Sequence, residues 1–388
     1  MAVATITLES SNGDSVVVSA PNDEFLTDEI ILDTDPKGMY DSGFTVRTQS
    51  GAFETGGRIV GESVPIRELT LPFWLNPASR PRFQRLWGTP GNFRKVKYIY
   101  DGPSGPRHLI LKLAKEIAYS TDGGFDADID FEYHAVVTAI AVNPNYEGVE
   151  DVASWANPNN RYTVDVDADG GAFDLTFGGQ TATGIAHNAS LTAVRDKLAA
   201  LSSVGGTGHV SVTGAVGHYT IAFTVPGTLT GSDDDLWSGI LHLGPKSLKI
   251  DYTTSTGWFE VWNPTDQTLW PEWEFDPAVQ WQFPDFGFGQ ERKWGRAVGE
   301  DAARMIVSPR LTQLLSVMSD PFMDTYVSAD LSNAAGLFNG VEPIYGVPPY
   351  TGTEDEPILM PVLCKGPMGA KATLRQRRFW SAESGLEE

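Results

Sequence analysis

A chain of 388 residues exceeds the usual size of one core, and 41% hydrophobic with 11% aromatic residues can fill two or three while setting aside a disordered protein. A formal charge of −22 disfavours DNA and anionic membranes as partners, since like charges repel phosphate over about a Debye length, ~8 Å at physiological salt. The single cysteine, Cys364, rules out an intrachain disulfide and a thiolate metal cage.

The opening MAVATITLESSNGDS has neither the basic start nor the apolar core of a secretion signal. The longest apolar run, near 135–142, is too short to span a bilayer. A soluble protein made in a cytoplasm is expected, with no membrane insertion. Glycines (40) and prolines (25) punctuate short alternating runs, which favours a mainly β or α+β chain.

Charge is unevenly placed along the first part. Residues 1–66 hold eleven acidic residues against Lys37, Arg47 and Arg58. Residues 76–100 hold no acidic residue, but carry Arg80, Arg82, Arg85, Arg94, Lys95 and Lys97. These read either as a solvated basic face or as a surface that meets the acidic amino-terminal part of a second copy, a head-to-tail contact that closes into a ring when its rotation allows. PIRELTLPFWL (65–75) alternates with the period of a strand, placing Leu69, Leu71, Phe73 and Leu75 on one face. ASRPRFQRLWGTPG (78–91) has room for one short helix. RHLILKL (107–113) and FDADIDFEYHAVVTAIAV (125–142) alternate again, and NPNYEG (143–148) ends the first domain near residue 150.

A different module follows. RYTVDVDADGGAFDLTFGGQ (161–180) reads as a hairpin with DADGG at its tip, and HVSVTGAVGHYTIAFTV (209–225) as a second. Between them, NASLTAVRDKLAALSSVGG (188–206) is the clearest helix: Leu191, Val194, Leu198 and Leu201 recur at helical spacing, Ser190 caps the start and Gly205–Gly206 end it. After Pro245 the strand pattern resumes. GWFEVWNPTDQTLWPEWEF (257–275) packs four tryptophans and three glutamates into two strands joined through NPTDQT, with Phe259 and Val261 on one face and Trp273 and Phe275 on another.

Chemistry is sparse. DVDADG (165–170) sets Asp165, Asp167, Asp169 and Gly170 at calcium-loop positions, but Thr176 stands where a bidentate glutamate is needed, so a polar turn is the plainer reading. PDFGFG (284–289) lacks the phosphate loop and lysine that would make it a magnesium motif. The six histidines show no metal-ligand spacing, and Asn188 in its NAS sequence serves a helix start. Glu272 and Glu274 share a strand face ~6.6–6.8 Å apart, within the range of inverting glycosidases, yet any alternating strand yields such a pair. No catalytic, cofactor-binding or metal-binding residue is assigned, and an enzyme is not expected. Trp258 and Trp262 lie opposite Phe259 and Val261, so both faces of that strand carry large rings. A sheet covered on both sides, by core and by a partner or second layer, explains them better than sugar stacking.

The run FDLTFGGQTATGIAHNASLTAVRDKLAALSSVGGTGHVSVTGAVGHYTIAF (173–223) resembles a unit recurring in phage tail proteins. GRIVGESVPIRELTLPFWL with RHLILKL is similar to the amino-terminal domain of siphophage distal tail proteins. NPTDQTLWPEWEF and FPDFGFGQERKWGR resemble a strand pair of their later domain. GVPPY (346–350) and RQRRFW (375–380) resemble the endings of minor tail proteins of phages infecting actinobacteria. The resemblance implies a mainly β (α+β) fold: a β-barrel-like ring domain over 1–150, a β-sandwich-like domain over 146–157 and 246–388, and a ββαββ inserted module at 158–245. It also implies a ring, usually a hexamer, at the tail tip of the virion, joining the tail tube and tape measure proteins to hub or fibre proteins. An acidic lumen would pass DNA without adsorbing it. Arg375, Arg377 and Arg378 then read as a solvated tail or as an anchor on a neighbouring subunit. The alternative is a carbohydrate-binding, receptor-facing tail protein that holds host cell-wall glycan. A glycan hydrolase using Glu272 and Glu274 is the third reading.

Overall fold

Alternation in Arg67–Leu75 acts as its period dictates: Leu69, Leu71, Phe73 and Leu75 all turn inward and are buried. The computed structural model describes residues 4–21, 30–40, 42–53, 55–121, 133–242, 244–321 and 323–386. The part of the 125–142 run before Tyr133 lies outside them, and Tyr133–Ala141 pairs along the whole of Arg67–Leu75, with Ala135 opposite Phe73. The first sheet runs Ser15–Ser19, Thr5–Ser10, Val96–Gly102, Gly105–Leu113, Tyr133–Ala141, Arg67–Leu75, Ile30–Leu32. Its two end strands come together, so the sheet is a nearly closed barrel.

The helix Arg80–Trp87 buries Phe83, Leu86 and Trp87 in this barrel's core, Phe83 lying edge-on to Phe73 at 5.0 Å. Pro81 is tolerated in its first turn, where no N–H is required. Gly88 stops it, with φ 86° and Asn92 O only 2.3 Å from where a Cβ would stand.

A second core lies between two sheets. One runs Asp151–Ala156, Lys371–Gln376, Glu272–Phe275, Leu315–Met318, Tyr326–Ser328; the other runs Ser255–Val261, Ile358–Lys365, Gln280–Pro284, Met305–Val307. The two strands of the tryptophan-rich run belong to different sheets and meet across the core, Phe259 against Trp273 at 5.2 Å and 89°. Phe275, Trp281 and Phe283 continue the cluster at 5.1–5.2 Å. The turn between those strands is built on Asn263, which is fully buried. Its Nδ2 donates to Gln267 O, Val347 O and Pro348 O, and its Oδ1 accepts from Thr265.

Cys364 lies in this core, and burial pushes its thiol up to about 12. The native protein is therefore expected to show no reactive thiol to Ellman's reagent at pH 8, and one per chain in denaturant. Full labelling of the native protein would place Cys364 at the surface instead.

The third core belongs to the inserted segment. Here 161–180 is not the expected hairpin. Asn160–Asp167 pairs with His218–Phe223 and Ser247–Tyr252, whereas Gly170–Phe177 pairs with Gln180–Ala186 and Leu229–Ser232. The chain steps from one sheet to the other at Ala168–Asp169, and the true hairpin turn is Gly178–Gly179, whose φ angles of 58° and 81° suit a two-residue primed turn. Val210–Ala215 and His218–Phe223 form the expected hairpin. The helix Leu191–Ala199 starts as expected, Ser190 Oγ accepting the Ala193 N–H at 3.2 Å, and buries Val194 and Leu198. It stops at Ala199, short of Gly205–Gly206.

No helix among the described residues is long and apolar enough to cross a membrane.

Candidate assembly surface

Among the described residues Thr45–Gln49 and Arg58–Ser63 pair only with each other, as a two-stranded ribbon outside the barrel sheet. Every residue of Thr45–Gln49 is exposed, and so are Phe44, Phe53, Ile59, Val60, Val64 and Ile66 in and beside the ribbon. An isolated hairpin is marginal in water. Large apolar side chains left uncovered together in this way mark an interaction site. Sequence reasoning missed this arm, since apolar residues in a polar stretch say nothing about which of them stay uncovered.

The basic segment divides. Arg80 lies over the Tyr119 and Tyr133 rings at 4.8 Å, and Arg82 pairs with Asp14 at 3.1 Å and donates to Ser15 O. One of the acidic–basic contacts imagined between copies thus closes within the chain. Arg85 and Lys95 are exposed, and Arg94 and Lys97 are half-buried.

The late arginines sit at the joint between the first two cores. There two connectors run side by side, the Gly148 N–H donating to Arg378 O at 2.9 Å and Tyr146–Glu147 pairing with Phe379–Trp380. Arg375 pairs with Glu150 at 3.5 Å and Glu274 at 3.7 Å, Arg377 with Glu272 at 3.3 Å, and Arg378 with Asp151 at 3.5 Å. Arg378 also covers one face of Trp262 at 4.3 Å. Arg375, Arg377 and Arg378 are therefore engaged within the chain and do not form a solvated tail. Burial pushes the Glu272 carboxyl up, and Arg377 beside it pulls it back. Trp258 stands apart, 58% exposed on the outer face of its strand between Thr256 and Glu260.

Asp165 takes His218 across a strand pair at 2.9 Å, and Asp169 Oδ2 accepts the Gly239 N–H, so these two carboxylates find partners within the chain. Among the described residues no group of acidic, His or Cys side chains is arranged to hold a metal. Asp285 of the PDFGFG segment is buried, bonded to Arg304 and to the Ile344 and Tyr345 N–H groups. Asp301 takes Arg296 at 3.0 Å and the Tyr345 hydroxyl at 2.6 Å. Neither network was visible in the sequence, where these acids resemble any other turn residues.

No protein-family model matches this chain, nor does any curated protein. Among solved structures it is similar to the Dit protein of SPP1, a paradigm of the hub adsorption apparatus in phages infecting Gram-positive bacteria, at 10% identity over 96% of this chain and 98% of that one, with a TM-score of 0.44. It is also similar to a chain of the phage P2 baseplate in its activated conformation with calcium, at 11% identity over 97% and 98% of the two chains, TM-score 0.37. The strontium form matches at 12% identity with the same coverage and score.

Proposed function

We propose that this chain is a structural component of the tail tip of a long-tailed phage, a self-assembling adaptor between the tail tube and the hub or fibres. In this reading residues 1–150 build the ring, residues 146–157 and 246–388 face outward to neighbouring tail proteins, and residues 158–245 are a module carried on that outer part. The observation that carries it is the apolar ribbon around Thr45–Gln49 and Arg58–Ser63, exposed beside a barrel whose interior is closely packed. Such a surface has no covering within the described residues, which is what marks an interaction site. The tail-protein resemblance of 173–223 and the flanking motifs supplies the setting, and the acidic excess suits a channel through which DNA passes unbound.

The purified chain is expected to form rings in negative stain and to elute as one assembled species. Replacing Phe44 and Ile59 together by serine is expected to weaken self-association at least ~100-fold, as loss of two central apolar anchors does. Because both side chains are exposed, the thermal unfolding of the separated subunit should not move. A strictly monomeric wild-type chain, or rings that persist undiminished in the double variant, would remove the reading.

A further inference from the structure

At one end of the inserted segment a short loop holds two aliphatic side chains away from the protein. Ile240 is 100% exposed and Leu241 78%. The loop is braced: the Gly239 N–H donates to Asp169 Oδ2 at 2.8 Å, the His242 N–H to Gly239 O at 3.0 Å, and the Gly244 N–H to Ser238 O at 2.7 Å. The His242 ring stacks on Trp237 at 4.1 Å. A braced apolar knob loses little entropy when it docks. Its neighbourhood is acidic: Asp169 holds the loop itself, Asp233, Asp234 and Asp235 lie just before it in the chain, and Lys246 just after it is fastened to the Asp233 and Asp234 carbonyls.

The barrel carries the complement. On its outer face a cavity of about 170 Å³ is floored by Ile110, Ile140 and Val142, the last 76% exposed, and rimmed by Lys95 and Lys112. That volume is comparable with the ~150 Å³ apolar cavities that accept a benzene-sized guest. Glu147, held by His108 at 3.5 Å, also lines the opening, so two lysines stand against one carboxylate there. Since Ile240 is fully exposed, the chain does not fill its own cavity.

We infer that the Ile240–Leu241 knob of one copy plugs the Lys95/Lys112-rimmed cavity of the next, a heterologous contact that locks neighbouring subunits of the assembly. The inference rests on the self-assembly proposed above but uses different residues from the ribbon. Knob and cavity match in apolar character, in size and in opposite charge, and a head-to-tail contact of this kind closes into a ring when its rotation allows.

The test mixes copies carrying Ile240→Cys with copies carrying Val142→Cys under mild oxidation, the native Cys364 being buried. Expected is a disulfide-linked dimer that needs both variants and forms at least tenfold more than when Leu331→Cys, at another exposed site, replaces the knob variant. Lys95→Glu with Lys112→Glu should abolish the link, and Asp234→Lys with Asp235→Lys on the knob copy should restore it. Rings in negative stain without the link, a link formed equally by Leu331→Cys, or self-linking of Ile240→Cys alone would overturn the contact while leaving the adaptor reading standing. Absence of rings as well as of the link would overturn both.

Discussion

Replacing Asp285 by alanine is expected to destabilise the second core by about 3–5 kcal/mol, the usual cost of breaking a buried ion pair from one side. Asp285 is almost completely buried. It accepts the Ile344 N–H at 3.1 Å and the Tyr345 N–H at 3.0 Å and bonds Arg304, whose other nitrogen reaches Glu342 O at 3.0 Å. One carboxylate thus pins the 342–345 segment to the end of the strand Gln280–Pro284. Burial pushes its pKa up, with the Tyr345 amide and the Arg304 guanidinium opposing that rise, so the pair is not a large net gain over a well-packed apolar substitute. Its loss is costly because a partly buried guanidinium and two amides are left without their acceptor. Adding Arg304→Ala should therefore recover part of the loss, a non-additivity that independent sites would not show. Cys364 lies in the same core and supplies the readout. Asp285→Ala should speed its labelling roughly a hundredfold or more, since each 1.4 kcal/mol of opening free energy is about tenfold. Labelling at the wild-type rate would mean the carboxylate is dispensable.

Legibility followed the physics of periodicity. The inward residues of Arg67–Leu75, the cap at Ser190 and the buried faces of 257–275 were all readable, because a period of two or of 3.6 assigns a face to each side chain. Pairing was not. A period says which residues share a face but not which strand lies alongside, so 161–180 looked like one hairpin when its two strands serve different sheets. The same limit hid the fact that Phe259 and Trp273 meet from opposing sheets. Charge counts behaved likewise: they located the basic strip at 375–378 but not its acidic partners Glu150 and Asp151, more than two hundred residues earlier in the chain. For the candidate surface, the ribbon at 45–63 has no signature separating it from a covered hairpin, because Phe44 and Ile59 would read the same in a core. Asn263 passed as a turn residue for the opposite reason, since burial of an amide hub depends on carbonyls at Val347 and Pro348 far along the chain.

Arg107 is expected to govern how the barrel and the second core are held relative to each other. It is buried, with Nη1 donating to Ala382 O at 3.0 Å, Nη2 to Gly385 O at 2.9 Å, and the Trp380 ring under its guanidinium at 3.8 Å. Arg67 repeats the arrangement beside it, donating to Met39 O and Ser381 O. Trp380 belongs to the barrel's core although the strand just before it, Lys371–Gln376, belongs to the second, so the 379–385 segment straps one body to the other. Charged hydrogen bonds contribute roughly 1.5–3 kcal/mol each and a desolvated cation–π contact up to about 2, so Arg107→Ala should cost the barrel about 3–4 kcal/mol after relaxation. Arg107→Lys keeps the charge but cannot fork to both carbonyls, and should lose an intermediate amount. The strap itself gives the sharper readout. Trypsin should cut after Arg377 and Arg378 many times faster in Arg107→Ala, because those bonds are exposed once 379–385 lifts from the barrel. The ribbon is untouched by the change, so under the proposed assembly rings should still form, now with outer density smeared by loosened second-core bodies. A variant that melts early yet resists trypsin at 377–378 and keeps sharp outer density would show that Arg107 stabilises the barrel without joining it to its neighbour.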